Sequence, residues 1–165
     1  MIDILRLFFI IILLTISLAA YFLVIGALFA QRMTKTQRIL NQMPGRSFLV
    51  GLVNFTFFGV IALVLLTLTD GANRVDNTAR VILLFPTIAV FAFLGILLSF
   101  GLAGMVNLVG ERIMPEHSAL KKTVWGTVIL TSACALPFVG WFLLFPYVSF
   151  VGIGAVILGF FQRES

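Results

Sequence analysis

Between Thr123 and Gln162 the chain has no Asp, Glu, Lys, Arg or His, and three stretches before it are also bare of charge. Only 10% of the 165 residues are charged and 61% are hydrophobic. Soluble domains carry about 25% charged and about 45–50% apolar residues. With a mean hydropathy of +1.18, too little polar surface exists to cover a water-soluble globule, so lipid must be the main solvent. Cys134 is the only cysteine, which excludes an intramolecular disulfide. His117 is the only histidine; it stands beside Glu116 in a polar loop and lacks the ligand set of a structural zinc site.

The apolar runs also lack ionisable groups, which mark most ion and substrate pathways in membranes. This argues against a proton-coupled pump, a voltage sensor and a haem-ligating cytochrome. Ser99, Ser132 and Ser149 have no intramembrane His or Lys to activate them, which disfavours a serine protease. No P-loop, dinucleotide fingerprint or metal-ligand cluster occurs. The expectation is therefore a non-enzymatic protein with no catalytic, metal-binding or cofactor-binding residues and no cofactor. The net charge of +5 lies in short loops, which suits anionic headgroups and offers no patch long enough for nucleic acid.

What is present is hydrophobic length. Residues 7–31 form a first uncharged run, long enough to span a bilayer. Ser17-Leu-Ala-Ala20 resembles a cleavage site, but the apolar run continues past it, which favours an uncleaved first helix. Residues 47–69 form a second span and 81–110 a third. The final run, continued as a single helix, would be about 60 Å long against a hydrocarbon core of about 30 Å. It is expected to fold back as a hairpin with arms at 123–137 and 139–161 and its bend at Pro137 and Gly140. The predicted fold class is an all-α integral membrane protein, one membrane domain with three clear spans and this C-terminal apolar hairpin.

Small and polar residues mark the expected contacts. Gly95, Ser99 and Ala103 recur every fourth residue and Asn107 continues the ridge, an interval that lets membrane helices approach closely. Thr127 and Thr131 belong to a second such ridge, and their hydroxyls can bond back along their own helix. Asn54, the only amide of the second span, is expected to hydrogen-bond a neighbouring helix. Arg32, Lys35 and Arg38 share one face of a short amphipathic segment, and Arg46 follows Pro44-Gly45, expected to stop it. These four bases suit headgroup phosphates, although a solvated loop is an equal alternative.

Seven Lys and Arg residues fall in the loops at 31–46 and 111–122, against three in the N-terminal head and the second loop. The positive-inside rule puts the seven in the cytoplasm and the N-terminus outside. Pro44-Gly-Arg-Ser-Phe-Leu-Val-Gly-Leu52, the basic segment before it, Leu136-Pro-Phe-Val-Gly-Trp141 and Val151-Gly-Ile-Gly-Ala-Val156 extend the pattern. Over roughly residues 30–161 the chain resembles the helical membrane module that follows the β-helical domain in bactofilin-like, polymer-forming bacterial proteins. The resemblance implies a bacterial cytoplasmic (inner) membrane. These 165 residues contain no β-helical domain, so no polymer-forming role is carried over.

The leading functional expectation is an accessory or scaffold subunit packing against other membrane subunits or itself as a homo-oligomer. A small transporter or channel with a re-entrant hairpin and a lipid- or pigment-binding subunit are the rivals.

Overall fold

The computed structural model describes residues 2–72, 77–136 and 138–161. Pro137, half of the expected bend, lies outside the described residues, as do Arg74 and Arg163, which entered the charge count and the reading of the tail. Every element described is helical: α1 (Ile2–Leu28), α2 (Ala30–Gln42), α3 (Pro44–Ala72), α4 (Asn77–Ile113), α5 (Ala119–Ala135), a π-helical turn (Val139–Leu144) and α6 (Phe145–Phe161). Four stretches are long and apolar enough to cross a membrane: Phe8–Leu28, Pro44–Gly71, Thr78–Ile113 and Val139–Phe161. The protein is an all-α, multi-pass membrane bundle.

Helices dominate because hydrocarbon offers no water to backbone amides, so each segment must satisfy its own. Hydroxyls within the runs follow the same logic. Thr15 donates to the Ile11 carbonyl at 2.7 Å, Thr69 to Leu65 at 2.7 Å and Thr87 to Leu83 at 2.8 Å.

Element boundaries differ from the sequence reading at two places. Pro44-Gly45 opens α3 rather than forming a loop, and Met43 alone separates it from α2. Proline suits a first helical turn, where its missing N–H has no partner to lose. Both helices around the second polar segment run into it, since α3 continues to Ala72 and α4 begins at Asn77. Pro86 lies inside α4, which continues through it for 37 residues.

Contacts between elements give the topology. Ring pairs Phe58–Phe93 (5.0 Å) and hydroxyls Thr69···Thr87 (3.2 Å) join α3 to α4 in antiparallel fashion. Gly154 lies against Ser47 and Gly51 against Phe150, so α6 runs antiparallel to α3. Gly110 meets Lys122 and Gly126 meets Val106, so α5 runs antiparallel to α4. The C-terminal run therefore goes out along α5 and returns along α6. Its arms are splayed: α5 packs on α4 and α1, while α6 packs on α3, α4 and α2, and the π-helical turn joins them.

Leu136 ends α5, and Phe138, before the π-helical turn, takes φ 67° and ψ −67°. Such a backbone costs a non-glycine residue about 1–3 kcal/mol. Gly140 is buried on the carbonyls of Ala133 and Cys134, where a Cβ would overlap backbone. Around it Phe138, Val139, Trp141 and Phe142 are exposed. An α5 of 17 residues is about 25 Å long, short of a full hydrocarbon crossing.

Candidate functional site

Three close helix crossings organise the interior. Gly152 and Gly101 face each other across α6 and α4; a Cβ on Gly152 would sit 2.7 Å from the Gly101 carbonyl carbon, and one on Gly101 would be 2.5 Å from that of Gly152. Gly154, two residues on, points to the other side of α6 and fits under the Ser47 carbonyl of α3. Gly126 of α5 meets α4 at Val106. Lipid tails are as apolar as leucine, so helices associate here through close van der Waals contact, which only small residues allow. Ile153, Val106, Val151, Thr127 and Ser47 are the largest fully buried side chains around these crossings.

The residues singled out from sequence divide between this interior and its margins. Ala103 is fully buried with Val106, Met33 and Phe22. Asn107 accepts a hydrogen bond from the Thr123 hydroxyl at 2.6 Å, tying α4 to α5. Thr127 is fully buried and donates to the Thr123 carbonyl at 2.7 Å. Thr131, one turn further, is half-buried.

Gly95 and Ser99 do not continue the seam. A Cβ on Gly95 would find nothing within 4 Å, and the Ser99 hydroxyl bonds back to the Gly95 carbonyl at 2.7 Å. Asn54 likewise reaches no other helix: its amide donates to the Val50 carbonyl of its own helix at 2.9 Å. A helical side chain can share the carbonyl one turn earlier with the backbone N–H and so needs no partner on another helix.

The basic segment is a helix, α2, whose buried face is Met33, Thr36, Ile39 and Leu40. That face packs into the bundle, with Ile39 and Leu40 against Leu108, Val151 and Ala155. Arg32, Arg38 and Arg46 are exposed and Lys35 is half-buried, so the bases stand on the outer side. The Arg112 guanidinium donates to the Asn41 side chain at 3.4 Å, bringing the two basic loops to one end of the bundle. Arg32 lies 4.5 Å from the Phe160 ring centroid, which brings the end of α6 to that same end.

Sequence reasoning missed a groove. It has a volume of about 1160 Å³ and runs between α1 and α6, with α4 as its floor and α2 across its basic end. Tyr21, Ile25, Phe100 and Val156 line its apolar length, and Arg32 and Lys35 stand at its mouth. No signal in the sequence marked it, because Gly95 and Ser99 share the four-residue spacing of the buried Ala103. A second groove of about 440 Å³ lies between α1, α2, α4 and α5 around Asn107 and Thr123. Neither reaches the reversal at 136–140. Among the described residues no group of three or more His, Cys, Asp or Glu is placed to hold a metal ion. Comparison with protein-family models, curated proteins and solved structures finds no match to this chain.

Proposed function

We propose that the protein is a non-enzymatic accessory or scaffold subunit of a bacterial cytoplasmic membrane, assembling with other membrane proteins or with itself. One observation supports this reading above the others. The glycine-dependent crossings all lie in the half of the bundle near α2, while beyond them α3 and α4 carry Phe57, Val60, Leu63, Phe85 and Ile88 exposed. These exposed apolar side chains offer surface to other helices, and the apolar runs hold no Asp, Glu, Lys, Arg or His to move a proton or ion. The resemblance to a bacterial membrane module supports the location. With seven of the basic residues at the α2 end, the positive-inside rule places that end in the cytoplasm and the N-terminus outside.

Extraction in mild detergent, followed by native electrophoresis and mass determination, tests the assembly. A stoichiometric membrane partner or a stable homo-oligomer is the expected result. A strictly monomeric particle, with no partner cross-linked in intact membranes, overturns the reading.

A further inference from the structure

We infer that the groove between α1 and α6 binds one anionic phospholipid, with its phosphate held by Arg32 and Lys35 and an acyl chain lying along α4 from Ala92 to Phe100. Its shape points to a chain-like ligand. At about 1160 Å³ it exceeds the usual range of about 300–1,000 Å³ for small-molecule pockets. Its floor is open at Gly95, which contributes no side chain, and Ser99 returns its hydroxyl to the Gly95 carbonyl. Phe93, Ile96, Leu97 and Phe100 make the rest of the floor apolar, and from Ser99 back to Ala92 it extends about 10 Å away from the basic mouth.

The charge of the mouth selects the headgroup. Arg32 and Lys35 lie one turn apart on α2, and among the described lining residues none is acidic. The ring of Phe160, 4.5 Å away, holds the Arg32 guanidinium between α2 and α6. A guanidinium presents paired donors to phosphate oxygens and an ammonium adds a point charge, so the two together suit a phosphodiester whose headgroup adds no cation of its own, over a zwitterionic one that does. Gln31 adds a neutral amide at the same level. A helix of a second protein would fill the apolar length but would leave this cationic mouth unmatched. The inference is independent of whether the chain assembles.

The test uses the full chain in phosphatidylcholine vesicles containing a trace of photoreactive phospholipid, either phosphatidylglycerol or the matched phosphatidylcholine. Labelled peptides are mapped by mass spectrometry. The phosphatidylglycerol probe is expected to label segment 92–100 in clear preference to the phosphatidylcholine probe. Each single change, Arg32→Gln or Lys35→Gln, is expected to reduce that preference roughly fivefold, and the pair about 25-fold. Gly95→Leu projects into open space, so it should leave the fold intact and abolish labelling by both probes. Equal labelling by the two probes overturns the inference, as does preference retained in the double variant. Protection of the segment from both probes by a cross-linked protein helix would also overturn it.

Discussion

α1 and α6 are both charge-free through their apolar lengths, yet they occupy opposite positions in the molecule. In α6, 44% of the apolar stretch is buried inside the bundle; in α1, 11% is. The buried helix is the less hydrophobic one. α1 carries Phe8, Phe9, Ile10, Leu13 and Leu14 to the outside, whereas α6 buries every residue from Val148 to Val156 except the half-buried Phe150. In water the more apolar helix would be drawn inward. In lipid that drive is missing, and position is decided by how closely a backbone can approach its neighbours. Gly152 and Gly154 let two sides of α6 touch two helices at once, and the closely packed part of α1 offers nothing equivalent.

The sharpest way to break this contrast is at Gly154. Gly154→Leu forces a side chain into the Ser47 carbonyl, and a loss of about 3 kcal/mol or more is expected, read as early unfolding in a detergent denaturation series. Gly59→Leu is the matched control on α3, since a Cβ there meets nothing within 4 Å, and it should leave the midpoint nearly unchanged. Comparable losses at both sites would show that glycine contributes through backbone conformation alone and not through contact.

A smaller effect belongs to the polar tie between α4 and α5. Thr123→Val removes the donor to Asn107 and should cost about 1 kcal/mol in the same titration. Ser149 gives an opposite sign. Its buried hydroxyl oxygen has no hydrogen-bond partner among the described residues, so Ser149→Ala should stabilise by about 1 kcal/mol, seen as a raised midpoint. The smallest effect is expected on α1, where Leu13→Ala should change stability by less than about 0.5 kcal/mol. A large loss there would mean that α1 has a partner this chain does not supply.

Some of this architecture was legible in the residues alone. Run lengths between charges identify the spanning helices, because a bilayer imposes a fixed thickness and admits no unpaired backbone. The excess length of the last run left it to fold back, break or run on beyond the bilayer, and favoured the first. The four-residue spacing around Ala103 and Asn107 marked a packed ridge. What remained hidden was which small residues meet a partner: Gly95 and Ser99 share the spacing of Ala103 but line a groove, and Asn54 satisfies itself on its own helix. Spacing specifies a face of one helix and says nothing of what stands opposite.

The sequence by itself thus determined the solvent, the helical class and the return of the chain along its last run, all of which follow from hydrophobic length against bilayer thickness. Only the tertiary structure decided that α6 is central, that the two arms splay across α4, and that α1 and α6 leave an open groove beneath two bases. Those outcomes depend on the mutual approach of backbones tens of residues apart, at Gly101 with Gly152 and Gly154 with Ser47. Where every helix is apolar, hydropathy assigns each one to the membrane, and the fit between surfaces assigns its neighbours.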